Sequence, residues 1–333
     1  MKKISVVFLL LGLGSFVFAA DTLFIGPRNM RVSEDGEFSW VDTTPTPQAF
    51  DTLWAYRIYP DDKKLTGRGV TVAIADSGIS SHVEFNGKHI QGQDFTLSNS
   101  IADLKNHGTG VAGIIGARGV RFTGLAPEAS LIVYKIDDGS RMIAPQAVTA
   151  AINTLITYNE QHPENRVSVL NLSYGVLPGG SAQLTAALER AYQAGIVIVC
   201  PAGNIGYPGV HYPASLGITI AVGALAADLT HVYENSSFGP QLDFIAPGDR
   251  VYTTDNEGEY TLMSGTSAAA GFVSAAAALA VEGLKKKLGR HPTVEEVKNA
   301  LKAAAHKVQG IALERQGNGF IDIKKLEQNL GVR

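Results

Sequence analysis

The sequence predicts an α/β fold, a three-layer sandwich with a mainly parallel central sheet and helices on both faces. Three observations carry this. The runs Val70–Ala75, Leu131–Ile136, Val167–Leu172, Ile196–Cys200 and Ile218–Val222 are near-continuously apolar and rich in Val and Ile. Parallel strands covered on both faces read this way, whereas a strand with one wet face alternates. Helical stretches lie between or after those runs, at His107–Ile115, Ala144–Asn159, Ser181–Ala194 and Ser267–Leu284. Finally, 333 residues, 45% hydrophobic and 18% charged, can bury one full-sized core.

Taken in order, the chain opens with Lys2 and Lys3, an apolar run from Ile4 to Val17, and small residues at Ala19 and Ala20. This is the pattern of a signal peptide over residues 1–20. The alternative is an uncleaved anchor, but the run is short of the roughly 20 residues a membrane span needs. No cysteine follows the run to carry a lipid. A secreted or periplasmic protein with no stable membrane association is expected. Residues 21–55 are polar, carry Pro45 and Pro47 and show no clear period, so they read as an N-terminal arm or short pro-segment. The folded domain is assigned to 56–333. At its C-terminal end, Thr293 and Glu296 form a capping box for a helix over Thr293–Ala305. The single cysteine, Cys200, excludes an intramolecular disulfide and, within an apolar strand, reads as an inert buried thiol. A net charge of −3 with scattered positive charges argues against nucleic acid as a partner.

Functional groups of such a sheet collect where strands end and helices begin. Three segments qualify. Asp76, in Ala75-Asp76-Ser77-Gly78, ends a strand and could do no more than cap the next turn. His107, in Asn106-His107-Gly108-Thr109-Gly110, opens a helix and could be structural. Ser267, in Ser264-Gly265-Thr266-Ser267-Ala268, enters an alanine-rich helix and could be its N-cap. Together they offer something none offers alone. A serine hydroxyl needs a base to take its proton, and a histidine base needs a carboxylate to orient it and stabilise its charge.

These blocks resemble the subtilisin-like (subtilase) serine proteases in residues and in Asp, His, Ser order. The resemblance covers roughly residues 50 to 325. It implies a serine endopeptidase acting on polypeptides, with Asp76, His107 and Ser267 catalytic. Pro201-Ala202-Gly203-Asn204 resembles the family's oxyanion segment, which implies that Asn204 and the Ser267 N–H hold the oxyanion. By the same resemblance Leu172, Ser173, Tyr174 and Gly175 form one edge of the substrate groove, and 138–142 is the candidate for the other. Ala202, Gly203 and Gly206 would line the P1 pocket. No acidic residue lies in Pro201–Gly209, so paired basic substrates are not expected; broad specificity with an apolar or aromatic P1 is. The enzyme is expected to be a monomer that requires no cofactor.

The chain also departs from the family pattern. The stretch between leader and first strand is too short for the folded pro-domain of many secreted relatives. The loop Ala117–Gly124 carries Arg118 and Arg121 where relatives build a tight calcium site from oxygen ligands, so that site is expected to be absent. A weak calcium site elsewhere stays open. Metal is not expected to bind at the site residues, and the other seven histidines form no metal-ligand spacing and read as surface or structural. Two rival functions remain: a silent binding protein on this scaffold, which loss of a triad residue would favour, and a ligase, which would need an insertion excluding water near Ser267.

Overall fold

The structure, a computed structural model, describes residues 22–25, 28–32, 38–41 and 64–332, with 140–141 and 177–178 outside that set. The leader expected at 1–20 also lies outside the described residues. The chain divides into two compact units, residues 1–45 and 46–333.

In the first unit, β1 (Thr22–Ile25), β2 (Arg28–Val32) and β3 (Phe38–Val41) pair antiparallel in that order. The register aligns Leu23 with Met30 and Met30 with Trp40. Regular structure here differs from the expectation of a patternless arm. Strands of four or five residues are too short to impose a period that stands out from a polar background.

The second unit holds the predicted sandwich. Its strands are β4 (Thr71–Asp76), β5 (Ile90–Asp94), β6 (Ser130–Lys135), β7 (Val167–Leu172), β8 (Val197–Pro201), β9 (Ile220–Leu225), β10 (Phe244–Pro247), β11 (Val251–Thr254), β12 (Tyr260–Met263), β13 (Ala305–His306) and β14 (Phe320–Ile321). Nine form one sheet in the order β13-β14-β10-β9-β8-β7-β4-β6-β5, parallel except where β13 meets β14. β11 and β12 pair separately as an antiparallel hairpin. The helices are α1 (Gly108–Gly116), α2 (Pro145–Gln161), α3 (Ala182–Gln193), α4 (Thr266–Leu288), α5 (Val294–Ala304) and α6 (Ile323–Leu330).

Alternate residues of β4 feed two cores, as the two-residue period of a strand requires. Val72 and Ile74 join Val111, Ile114, Val273, Leu279, Leu301 and Leu326 of α1, α4, α5 and α6 on one face. Ala73 and Ala75 join Val148, Ile152, Leu155, Leu184 and Leu188 of α2 and α3 on the other. α4 is long and apolar enough to cross a membrane, but its apolar window is wholly buried inside the protein, which marks it as a core helix. The capping box of α5 is closed in both directions, with Thr293 Oγ1 accepting from Glu296 N–H at 3.2 Å and Glu296 Oε2 accepting from Thr293 N–H at 2.8 Å.

The chain order reverses beside β4. From β6 on one side, the crossover through α2 carries the chain over β4 to β7 on the other. A crevice therefore opens at the C-terminal ends of β4, β7 and β8, where Asp76, Ser173 and Ala202–Asn204 emerge.

Candidate functional site

Asp76 ends β4 with its side chain buried, and His107 stands at the N-cap position of α1. His107 Nδ1 lies 2.7 Å from Asp76 Oδ1, which also accepts the Ser77 N–H at 2.7 Å. This approach depends on Gly108. A Cβ there would lie 2.2 Å from the Gly78 carbonyl oxygen and 3.2 Å from Asp76 Cβ, so a larger residue would push α1 off the strand end. Asp76 Oδ2 is buried and has no hydrogen bond among the described residues. The Ser173 hydroxyl, which accepts from Asn171 Nδ2 at 3.0 Å, is near enough to favour the anion without closing a bond to it.

Burial alone would raise the Asp76 carboxyl pKa; the His107 charge and hydrogen bond, with Ser173 and Ser77, outweigh it and lower it. Burial alone would lower the His107 pKa; the Asp76 charge and hydrogen bond, helped by Asp103, raise it. Each partner favours the charged form of the other, and the free Nε2 is left to meet a proton.

Asp103 is a second buried carboxylate that the sequence reading missed. Its Oδ1 accepts from the Ser77 hydroxyl at 2.8 Å and Lys105 N–H at 2.9 Å, and its Oδ2 from Thr109 N–H at 2.9 Å and hydroxyl at 2.8 Å. Ser77 Oγ in turn accepts the Gly108 N–H at 2.9 Å. The residue after Asp76 is thus fastened to the first turn of the helix that begins after His107. Lys135, fully buried at the end of β6, holds the same loop by donating to the Ala102 carbonyl at 2.6 Å.

Ser267 lies in the first turn of α4 and is 8% exposed. α4 packs on α1, with Gly271 against Val111 and Ile114. Gly271 lies one helical turn after Ser267 and Val111 four residues after His107, so this helix contact falls about one turn beyond both residues. The Ser267 hydroxyl makes no hydrogen bond among the described residues; such contacts often tighten only when substrate binds. Its backbone N–H belongs to the first helical turn, where no carbonyl within the helix can take it.

Asn204 follows β8 and reaches the same helix start. Its Oδ1 accepts from Thr266 N–H at 2.8 Å and hydroxyl at 3.0 Å. That pairing fixes the amide orientation and leaves Nδ2, a donor, without a hydrogen bond among the described residues. The Thr266 hydroxyl also accepts the Gly203 N–H at 3.3 Å. Asn204 and Ser267 are therefore bound to one another through Thr266.

The other predicted residues divide. Leu172 is fully buried and pairs with Ala75. Ser173 is tied by its N–H to the Ala75 carbonyl at 3.1 Å, the Tyr174 side chain is buried in the core, and Gly175 is exposed. Ala202 and Gly203 are buried at the end of β8. Gly206 turns away, donating to the Asn235 carbonyl at 2.8 Å, and the nearest atom to a Cβ there would be the Glu234 carbonyl oxygen. Within 138–142, residues 140 and 141 lie outside the described residues, and Met142 is exposed. Cys200 is buried, which pushes its thiol pKa up and keeps it protonated.

The backbone N–H groups of the loop 117–124 converge on a carboxylate. Gly119 and Val120 N–H groups donate to Glu84 Oε2 at 3.0 and 2.8 Å, and Arg121 and Phe122 N–H groups to Oε1 at 2.5 and 3.3 Å. The Tyr260 hydroxyl adds a bond to Oε1 at 2.9 Å. The loop turns donors inward onto an anion, the reverse of what calcium requires. Among the described residues no cluster of His, Cys, Asp or Glu could hold a metal ion.

Residues 67–319 match the profile of the Subtilase family. Subtilisin DY of Bacillus licheniformis is 35% identical over 249 residues, which cover 72% of this chain and 84% of that protein. Subtilisin E of Bacillus subtilis is 37% identical over 237 residues, 68% of this chain and 58% of that protein. Among solved structures, the protease domain of PatA superposes with a TM-score of 0.69 at 26% identity, covering 80% of this chain and 98% of that domain.

Proposed function

The chain belongs to the subtilase family and is a serine endopeptidase, and on that premise we propose that Asp76, His107 and Ser267 are its catalytic triad. The observation that carries this is the 2.7 Å bond between His107 and Asp76 at the strand end, facing the helix that Ser267 heads. His107 Nε2 takes the Ser267 hydroxyl proton as Oγ attacks the peptide carbonyl carbon. Asp76 keeps the proton on Nδ1 and stabilises the imidazolium. The new oxyanion is received by Asn204 Nδ2 and the Ser267 N–H, donors already held in place by Thr266 before substrate arrives. His107 then protonates the leaving amine, and water, activated the same way, releases the acyl group from Ser267.

The substrate is a polypeptide, as for any protease. It binds extended, its main chain pairing with Ser173–Gly175, and Ala202 and Gly203 form the facing wall of the P1 site. Main-chain pairing accepts many sequences, so specificity is broad, with an apolar P1. No cofactor takes part, and the Glu84 anion takes the place of calcium in the 117–124 loop; a weak calcium site elsewhere is left open. The protein acts as a monomer, without nucleic acid or stable membrane association. Lys2, Lys3, the apolar run and Ala19-Ala20 support a cleaved leader, which places the enzyme in the periplasm or outside the cell. The remaining division is an N-terminal segment at 21–55 and the peptidase domain at 56–333.

Treating the purified protein and Ser267→Ala with a fluorophosphonate probe, and assaying both on casein, tests the reading. The native protein labels and cleaves, and the variant does neither. A folded native protein that neither labels nor cleaves defeats it.

A further inference from the structure

The slot between Ser173–Gly175 and Ala202–Asn204 is not open to its end, because His211 lies across it. A Cβ built on Gly203 would stand 2.5 Å from His211 Cδ2, 2.6 Å from Cγ and 2.7 Å from Nε2. From the opposite wall, a Cβ on Gly175 would lie 3.7 Å from both His211 Cβ and Nδ1. The imidazole therefore fills the space between the α-carbons of two glycines, one on each wall. Gly203 has φ of +114°, and its missing Cβ is what admits the ring.

The backbone carrying this ring is stitched to both walls. His211 N–H donates to the Ala202 carbonyl at 2.9 Å, and Tyr212 exchanges bonds with Val176 at 2.9 and 3.0 Å. The Tyr212 hydroxyl reaches Thr185 Oγ1 at 3.0 Å and the Ser181 carbonyl at 3.2 Å. The ring cannot retract with its backbone. His211 is 9% exposed, and its Nε2 is buried with no partner among the described residues. Burial lowers its pKa below the ordinary histidine value, so at neutral pH it offers no cation to an acidic side chain.

Resting on the protease reading above, we propose that His211 sets the depth of the P1 site, so that the enzyme cleaves after small residues such as alanine, glycine and serine. Aromatic and long aliphatic P1 side chains meet a ring already packed at interior density. This narrows the apolar P1 specificity to its small members and removes the aromatic ones. Sequence alone gives His211 no functional role, because Gly175, which closes the other side of the ring, is remote in the chain.

The test uses peptide p-nitroanilides differing only at P1. Native enzyme is expected to favour Ala over Phe by about 10-fold or more in kcat/KM, the scale that one misfitting group commands in a pocket. His211→Gly is expected to raise kcat/KM for Phe by a similar factor and so to abolish the Ala-over-Phe preference. His211→Ser serves if the glycine variant folds poorly, and fluorophosphonate titration counts folded sites in each. A native preference for Phe or Leu, or variants that keep the native ratio, overturns the proposal while labelling and casein cleavage still uphold the protease. Loss of labelling in the native protein overturns both.

Discussion

Asp76 and Glu84 are both buried carboxylates on the chain between β4 and α1, and they are held in opposite ways. Glu84 is saturated: four backbone N–H groups and a tyrosine hydroxyl satisfy its two oxygens, and none of these donors titrates near neutral pH. Asp76 has one oxygen bound to Ser77 and His107 and the other left unpartnered. An anion surrounded by fixed amides organises a loop and does no more. One whose main partner is an imidazole keeps its charge available to a group that changes protonation during a reaction. Incomplete satisfaction, costly in a purely structural role, fits the catalytic role proposed for Asp76.

The sharpest way to break this comparison is to neutralise each carboxylate in turn. Asp76→Asn is expected to lower kcat by about 10⁴-fold, as the equivalent change does in other triad enzymes by favouring the wrong imidazole tautomer. Its melting temperature should fall less than that of Glu84→Ala, since the amide keeps an oxygen that can still accept from Ser77. Steady-state kinetics beside a thermal melt would show this, and a loss under tenfold would mean Asp76 is not the orienting group. Asn204→Ala should follow, with about 10²–10³-fold lost from kcat and little change in KM. That magnitude is borrowed from subtilisin itself rather than derived from this geometry.

Glu84 should behave in the other sense. Glu84→Ala strands four loop amides and is expected to cost about 3 kcal/mol or more, roughly 6–12 °C in melting temperature for a domain of this size. Protein that remains folded should titrate and turn over normally. Added chelator should leave the native melting temperature unchanged. A large drop with chelator would instead show that a cation supports this fold.

How much of this was legible in the sequence follows from the range of the contacts involved. The central strands and α1 to α5 stood out because burial on two faces, or a helical stripe, writes a local period. β5, reading Ile-Gln-Gly-Gln-Asp, is an edge strand without an apolar run, and β11 meets α1 through the hydroxyls of Thr253 and Thr254, which donate to the Gly110 and Thr109 carbonyls. Neither leaves a hydrophobic signature. The proposed triad and Asn204 were visible because each sits in a distinctive block. Asp103, Glu84 and His211 were not, since what defines them is a partner elsewhere: Ser77, 26 residues away for Asp103, and Tyr260, 176 away for Glu84. The burial of Leu172 and its pairing with Ala75 were not legible either, because sequence does not show where pairing with β4 stops.

The smallest effect, and the one that separates the two site carboxylates, lies in the pH dependence. In the proposed triad His107 must be neutral to accept the Ser267 proton, and its pKa is raised above the ordinary 6.5 by Asp76 first and Asp103 second. Activity should therefore rise with pH through a value above that of a free histidine and fall away below it. Asp103→Asn removes the more distant anion, so the acid limb of kcat/KM should move to lower pH, by less than the residual activity of Asp76→Asn moves. Burial, which by itself lowers the imidazole pKa, then has less opposition. If Asp103 only braced Ser77 and Thr109, the variant would lose rate with the limb unmoved. A displaced limb means that its charge reaches the base as well.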